Sequence, residues 1–161
     1  MKKPGFVYKI VLFILSVLLS FNVIFAQDRT SQDLRAIVES ADFVFEADQM
    51  LPAGGASRTL IGEGYDVRLS KDSVSALLPY FGRAFSVAYG TTDGGIRLNT
   101  KDFDYKAKRR KKGGWTITIE PKDADIRQMY FTVHENGFAT LNVNSNNRQS
   151  IAYTGRVVKR K

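Results

Sequence analysis

Residues 65–84 read YDVRLSKDSVSALLPYFGRA and contain the pattern that decides the fold. The first five of them alternate between apolar and polar side chains, which predicts a β-strand with one buried face. The polar corner at residues 70–73 turns the chain, Pro79 ends a short apolar stretch, and Gly82 leads into another alternating segment. The stretch therefore predicts a strand, a corner and a strand around a shared apolar centre made of Leu77, Leu78, Tyr80 and Phe81.

A helix is predicted only at the start of this domain, over residues 28–41. Thr30 or Ser31 can cap it. Its apolar residues fall on one helical face, as expected for a helix packed on a core; they are Leu34, Ile37, Val38 and Ala41.

Short alternating segments make up the rest of the chain. The tip at residues 108–114 is closed by two glycines, and residues 135–137 carry the Asn-Gly signal of a tight hairpin. Such strands, separated by turn residues at intervals of about 8–12, are typical of an antiparallel sandwich or barrel. The predicted strands lie at residues 43–48, 59–69, 85–89, 96–98, 103–106, 115–120, 128–133, 138–143 and 150–158.

These elements predict a mainly β fold, that is, a β-rich α+β domain. No long crossover helices are available, so a parallel sheet is excluded. We expect an antiparallel meander curled into a partial barrel or sandwich, with the one N-terminal helix plugging one side or end.

Residues 1–26 have the three parts of a secretory signal peptide. Three lysines precede an apolar run, and Ala26 stands just before a plausible cleavage point at Gln27. The apolar run is shorter than the roughly 20 residues that cross a bilayer comfortably. We therefore predict export, with a single β-rich domain at residues 27–161 that ends in a basic tail and has no membrane span after cleavage.

The chain contains no cysteine. A lipid-modified cysteine at the new N-terminus, a disulfide framework, thiolate metal sites and a cysteine nucleophile are all excluded. We expect a soluble protein, periplasmic or secreted and not lipid-anchored, whose fold is held by its core alone.

Positive charge is concentrated in two places. The predicted mature chain keeps 21 of the 24 basic residues and all 16 acidic ones, a net charge of +5. One basic cluster precedes Trp115, and the other forms the C-terminal tail. The first comprises Lys106, Lys108, Arg109, Arg110, Lys111 and Lys112, and the second Arg156, Lys159, Arg160 and Lys161.

Candidate catalytic and metal-binding residues are few. His134 is the only histidine, and no motif places a serine nucleophile beside it. We expect Asp102 and Asp104 to point to the same strand face, and Asp123 and Asp125 to flank a turn. Such paired carboxylates could serve glycoside hydrolysis or hold calcium, but surface charge explains them more simply. We assign no catalytic residue, no metal site and no cofactor, and we expect Trp115 to lie in the core.

The order of segments resembles the DUF4251 family of secreted bacterial proteins, a domain of unknown function. The similarity extends over nearly the whole mature chain and implies an exported β-rich domain of this size. It implies no catalytic or binding residue. The stretches that carry it are 43–47, 65–74, 77–84, 94–96, 103–105, 111–123 and 137–151.

Three functions remain open at this stage. The first is a non-enzymatic exported domain that binds a small apolar ligand such as a lipid in the mouth of the curled sheet, or another envelope component. The second is an interaction module that docks an acidic protein or an anionic envelope polymer, such as a glycan, through the basic residues of 106–112, with Trp115 or Tyr105 available for stacking. The third is a hydrolase that uses the surface carboxylates. Nucleic acid is not an expected partner of an exported protein.

Overall fold

The computed structural model describes residues 33–82, 95–123 and 125–160, and within them it contains one helix and ten strands. Helix α1 covers residues 33–39. The strands are β1 (Phe43–Pro52), β2 (Arg58–Thr59), β3 (Asp66–Ser70), β4 (Ser73–Leu78), β5 (Ile96–Thr100), β6 (Phe103–Arg109), β7 (Trp115–Pro121), β8 (Ile126–Val133), β9 (Phe138–Ser145) and β10 (Ile151–Val158).

The strands form one antiparallel sheet in the order β5-β4-β3-β1-β10-β9-β8-β7-β6, with β2 paired to the second half of β1. Two meanders, β3–β5 and β6–β10, are joined because β1 pairs with β3 on one side and with β10 on the other. The two edges of this path, β5 and β6, are separated in the chain only by Lys101 and Asp102. The sheet is therefore curled into a nearly closed barrel with its seam between β5 and β6, and the predicted mainly β fold is confirmed.

Hydrocarbon side chains fill the interior of this barrel. Every second residue of the strands points inward, and the described residues include no buried polar or charged residue. Phe131 lies near the centre, its ring centroid 6.1 Å from that of Phe43 and 5.5 Å from that of Phe45, both with edge-to-face geometry. The hydroxyl of the fully buried Tyr153 donates a 2.6 Å hydrogen bond to the carbonyl oxygen of Pro79.

Helix α1 packs on the core by the face that its sequence predicts. Leu34 and Val38 are buried, and Ile37 and Ala41 pack against the core beside them. Ala41 has a φ of 53°, which ends the helical turn. Residues 28–32 of the predicted helix lie outside the described residues. No helix in the described ranges is long and apolar enough to cross a membrane.

A bulge in β1 sets which of its side chains face the core. Phe43, Phe45 and Ala47 point inward as predicted, and the register with β10 then shifts between Ala47 and Gln49. The extra residue changes the parity, so that Met50 is the next inward side chain. The sequence pattern did not predict this bulge.

The predicted hairpins at residues 110–114 and 134–138 have the same pattern of hydrogen bonds around a three-residue loop. At residues 134–138, the amide of Gly137 donates to the carbonyl oxygen of His134, and the amide of His134 donates to that of Phe138. Gly137 has a φ of 80°. Since Asn136 is not in the left-handed region, the turn is a type I turn followed by a glycine bulge rather than the two-residue form that Asn-Gly favours.

The stretch that decides the fold forms the first strand and the corner as predicted, and it contains a further strand that was not predicted. Its strand is β3, and its corner is closed by a hydrogen bond from the Ser73 amide to Ser70 Oγ at 3.1 Å. The apolar stretch before Pro79 is itself a strand, β4, which pairs with β3. The strand predicted at 85–89 lies outside the described residues.

The predicted apolar centre of this stretch was therefore partly wrong. Because β4 alternates, Leu78 is fully buried while Leu77 points outward with 43% of its surface exposed. Phe81 lies beyond the strand and is 51% exposed, and Tyr80 is half-buried. Leu78 alone of the four residues belongs to the buried core.

Candidate functional site

The basic residues 106–112 lie on β6 and on the turn that joins it to β7. The amide of Gly113 donates to the carbonyl oxygen of Arg110, and the amide of Arg110 donates to that of Gly114. This confirms the predicted hairpin tip. A side chain at position 114 would place its Cβ 2.1 Å from the carbonyl oxygen of Val133, so the close approach of the tip to β8 requires glycine there.

The hairpin distributes its six basic side chains over different surfaces. Lys106 and Lys108 alternate with the half-buried Tyr105 and Ala107, so they lie on the outer face of the sheet. By the same alternation Arg109 lies on the inner side at the rim, opposite Trp115. The tip carries Arg110, Lys111 and Lys112, so the cluster of the sequence is not one continuous patch.

None of these six cations forms an ion pair with a described carboxylate. All are exposed except Arg110, which is half-buried. Asp104, on the same strand, forms an ion pair with Lys122 instead, with Lys122 Nζ 2.6 Å from Asp104 Oδ2. The hydrogen bond and charge of Lys122, with a smaller effect of Lys106, hold the pKa of Asp104 below its usual range.

The two aromatic residues that could have stacked on a ligand beside the hairpin face inward. Trp115 packs against the core, as predicted, although it is only half-buried. Tyr105 donates its hydroxyl to the carbonyl oxygen of Val38 in α1 at 2.7 Å, and burial raises its pKa. Both rings therefore serve the fold rather than a binding surface.

The candidate carboxylates take structural roles in turns and ion pairs. Asp102 lies outside β6, so it does not share a strand face with Asp104 as the sequence suggested. Asp123 Oδ1 accepts hydrogen bonds from the amides of Asp125 and Ile126 at 2.8 and 3.1 Å, and Asp125 pairs with Arg148 at 3.3 Å. Within the described ranges no three histidine, aspartate or glutamate side chains are grouped as metal ligands would be.

His134 lies at the end of β8 and is exposed. Its ring is 6.5 Å from that of Phe138, across the turn. No described acid or hydroxyl contacts it as the partner of a catalytic base would, so the structure brings no catalytic group to this residue.

A groove of about 690 Å³ lies between α1, the turn after β8 and the end of β10. The turn is fixed against β10 because the amide of Val157 donates to the carbonyl oxygen of Gly137 at 2.8 Å. The groove is lined by Asp33, Leu34, Ala36, Ile37, Ser40, Asp42, Asn136, Gly137, Arg156, Val157, Val158 and Lys159.

The floor of this groove is apolar and its rim is charged. Leu34, Ile37 and Val157 supply the floor. Arg156 and Lys159 are exposed at the rim, and neither is paired with a carboxylate of the described chain. The groove thus combines an apolar surface with two available cations.

Asp42 is one of the acidic side chains that line the groove. Its Oδ1 atom lies 3.2 Å from Nε of Arg160, but the contact does not have the geometry of a hydrogen bond. This oxygen is buried from solvent and has no hydrogen-bond donor among the described residues. An unsatisfied buried acceptor costs free energy, so a donor at this point would be stabilising.

A second cavity, of about 550 Å³, lies at the start of β5 and the end of β4. Its lining includes Leu77, Tyr80 and Phe81, the residues that the sequence placed in the core. Arginines cover these rings: the guanidinium of Arg58 lies 4.6 Å from the Phe81 ring and that of Arg148 lies 5.4 Å from the Tyr80 ring. Residues 83–94 lie outside the described residues.

The groove was not predicted, although its parts had signals in the sequence. The basic tail was visible as a charge cluster, and α1 as an amphipathic helix. What brings them together is the pairing of β10 with β1 next to the helix, which is a property of the topology. No local pattern indicates that Arg156 and Lys159 face the same groove as Ile37.

Fold and site together define an antiparallel β-barrel domain with a helix on one side and a surface groove beside it. The chain belongs to the family described as a domain of unknown function, DUF4251, whose sequence profile matches residues 26–157. A similar solved structure is a DUF4251 family protein from Bacteroides eggerthii DSM 20697, with a TM-score of 0.58 and 19% sequence identity over 81% of this chain and 87% of that one. That similarity confirms the fold. A comparison with curated proteins gave no match.

Proposed function

We propose that this protein is an exported, non-enzymatic binding domain that holds a small amphipathic ligand in the groove between α1 and β10. The observation that carries the proposal is the groove itself, about 690 Å³ with an apolar floor and two unpaired cations at its rim. Concave, largely apolar surfaces with a few convergent polar groups are where small molecules bind.

The ligand site is on the surface because the barrel interior is occupied. Fully buried side chains such as Phe43, Phe131 and Tyr153 fill the space that a ligand inside the curled sheet would need. An apolar ligand therefore has a place beside α1 rather than in the mouth of the sheet. The sequence analysis placed the ligand in the mouth of the curled sheet, whereas we propose a site on the surface beside α1. The proposed function, binding of a small ligand by a non-enzymatic domain, is the same.

The charges favour a ligand with an anionic head. The lining contains two acidic side chains, and one of them, Asp42, is paired with Arg160. The remaining charges of the lining are one negative, on Asp33, and two positive, on Arg156 and Lys159. A carboxylate, sulfonate or phosphate placed over the apolar floor would accept charge-assisted hydrogen bonds from the two cations. A donor group on the ligand would also satisfy Asp42 Oδ1.

A non-enzymatic role is supported by the positions of the candidate catalytic residues. Asp104, Asp123 and Asp125 are occupied by ion pairs or turn hydrogen bonds, and His134 stands apart from them. None of these groups lines the groove.

The test is a titration of the mature protein with anilinonaphthalene sulfonate, an apolar anion whose fluorescence rises in apolar sites. Ala36 is exposed on α1 and lines the groove, so Ala36→Trp fills the groove without replacing a core side chain. We expect it to weaken probe binding at least about ten-fold. Ala53→Trp, the same change at an exposed residue in the loop after β1, is the matched control and should bind as wild type. Equal binding by both variants would contradict the proposal.

A second candidate function is docking of an acidic partner or anionic polymer by the hairpin at residues 106–112. It is favoured by one observation, that the six cations are without carboxylate partners in the described chain. Exposed charge contacts of this kind weaken as salt is added. Binding to heparin–agarose that is lost on replacing all six with Gln, with the melting temperature unchanged, would support this function.

A further inference from the structure

The outer face of β6–β10 is a broad polar surface with an unusual composition. Its side chains are mostly hydroxyls and amides, with fewer charges and two exposed aromatic rings, Tyr130 and Phe138. Cross-strand register places them in three rows. The first row is Lys108, Thr116, Thr132, Thr140 and Thr154, and the second is Lys106, Thr118, Tyr130, Asn142 and Ala152. The third begins with Asp104, Glu120, Gln128 and Asn144, in which Glu120 and Gln128 are joined by a side-chain hydrogen bond.

The first row is an uninterrupted ladder of threonines across four strands. Each threonine is directly paired with the next: 116 with 132, 132 with 140, and 140 with 154. Adjacent strands lie about 4.8 Å apart, so hydroxyl groups repeat at this spacing across the sheet. That repeat is similar to the rise of one sugar unit in an extended polysaccharide.

Tyr130 stands in the middle of the second row, between Thr118 and Asn142. It is 37% exposed, and none of the hydrogen bonds in the described chain holds its hydroxyl. A tyrosine ring offers an apolar face against which a sugar ring can stack, with a polar tip that hydrogen-bonds. The surrounding hydroxyl and amide groups can both donate and accept, as sugar hydroxyls require.

The third row is already organised by its own hydrogen bonds. Gln128 Nε2 donates to Glu120 Oε1 at 3.1 Å, and Ser150 Oγ donates to Asn144 Oδ1 at 2.8 Å. Asp104, at the end of the row, is neutralised by Lys122. The acidic groups of the face are therefore engaged, while Lys106 and Lys108 at its β6 edge are not paired with described carboxylates.

We propose that this face binds an acidic polysaccharide that crosses the strands, with one sugar stacked on Tyr130 and its carboxylates held by Lys106 and Lys108. The threonine row hydrogen-bonds the sugar hydroxyls alongside. The site is independent of the groove beside α1 and differs from docking by the hairpin tip, because only two of the six hairpin cations belong to it.

Composition separates this occupant from a protein partner. A protein interface is centred on a desolvated apolar cluster. The two exposed rings of this face do not form one, because Tyr130 pairs with Asn142, which is four residues along β9 from Phe138. The outer face of β3–β5 is different again, since it bears the Arg68–Asp66 ion pair and the exposed Leu77 and Arg97. The uninterrupted row of threonines lies on the β6–β10 half of the barrel, whereas the corresponding outward row of β3–β5 reads Arg68, Ser75 and Asn99.

The test is affinity electrophoresis of the mature protein in gels containing polygalacturonate, with neutral dextran gels as the reference. We expect polygalacturonate to retard the protein and dextran to leave its mobility unchanged. Tyr130→Ala should raise the apparent dissociation constant at least about ten-fold, and the pair Lys106→Gln, Lys108→Gln should do the same. Melting temperatures establish that each variant is folded.

Two matched controls decide between this site and the others. Lys111→Gln with Lys112→Gln removes the same charge from the hairpin tip, and Phe81→Ala removes an exposed ring off this face. Both should bind polygalacturonate as wild type does, as should Ala36→Trp in the groove. No retardation of wild type, unchanged binding by Tyr130→Ala, or loss of binding in the tip variant would each overturn the proposal.

Discussion

The hydroxyl of Tyr105 on β6 donates a 2.7 Å hydrogen bond to the carbonyl oxygen of Val38 on α1. The bond joins β6, the strand at one edge of the sheet, to α1, the helix that precedes β1 in the chain. It therefore fixes α1 beside the seam of the barrel, and with it the wall of the groove proposed as the binding site.

Removing this hydroxyl should loosen the helix. We expect Tyr105→Phe to lower the free energy of unfolding by about 1 kcal/mol, the usual net value of one such hydrogen bond. Tyr130→Phe removes an exposed hydroxyl and should change stability little. Urea unfolding followed by circular dichroism measures both, and equal stability of the two variants would show that the Tyr105 bond is not formed.

The same residue should make the protein sensitive to alkaline pH. Burial raises the pKa of Tyr105 above its usual value, so the folded protein keeps the phenol protonated. The unfolded chain loses this proton near its normal pKa of about 10, so stability is full below about pH 10 and falls as the pH rises above it. Urea unfolding at about pH 8 and about pH 11 should show a smaller alkaline loss for Tyr105→Phe than for wild type. An identical loss would mean that this phenol is not buried.

Leu77 and Leu78 are neighbours on β4 with opposite environments, 43% exposed and fully buried. We expect Leu78→Ala to lower the free energy of unfolding by about 2–5 kcal/mol, as for buried leucines in general. Leu77→Ala should cost less than about 1 kcal/mol. Thermal or urea unfolding of the pair tests the register of β4 directly. A larger effect at Leu77 would mean that the strand is shifted by one residue.

Gly155 lies where β10 approaches β1 at the bulge. A Cβ at this position would lie 2.0 Å from the carbonyl oxygen of Glu46, which belongs to rigid backbone. Gly155→Ala should therefore destabilise the protein by about 1–3 kcal/mol or more. Gly54→Ala, in a loop where no atom lies within 4 Å of the new Cβ, is the matched control. A wild-type melting temperature for Gly155→Ala would contradict the bulge geometry.

The sequence predicted the fold well where a strand or turn is indicated by residues that are close together in the chain. In β1 up to Ala47, the alternation of apolar and polar side chains is enough to predict which residues face the core. At the two hairpin tips, Gly113 and Gly137 mark the positions with positive φ. Ser-Val-Ser-Ala-Leu-Leu did not identify β4 in the same way. Its last two residues are both apolar, so local pattern could not tell which leucine faces the core.

The candidate site was harder to predict than the fold, because it depends on contacts between distant segments. The six hairpin cations were visible as a run, but strand alternation separates Lys106 and Lys108 from the tip. The threonine row likewise comes from four strands aligned by register. The lengths of the segments and the charges of their residues do not determine which strands pair or in which register.

The most direct test of the groove proposal is native mass spectrometry of the protein purified gently from its own envelope fraction. We predict a chain that begins at Gln27 and carries a reproducible additional mass, which is lost on denaturation. The additional mass should be absent from Ala36→Trp and present in Ala53→Trp. A wild-type protein without any bound mass, or a bound mass that Ala36→Trp retains, would contradict the assignment of the groove as the ligand site.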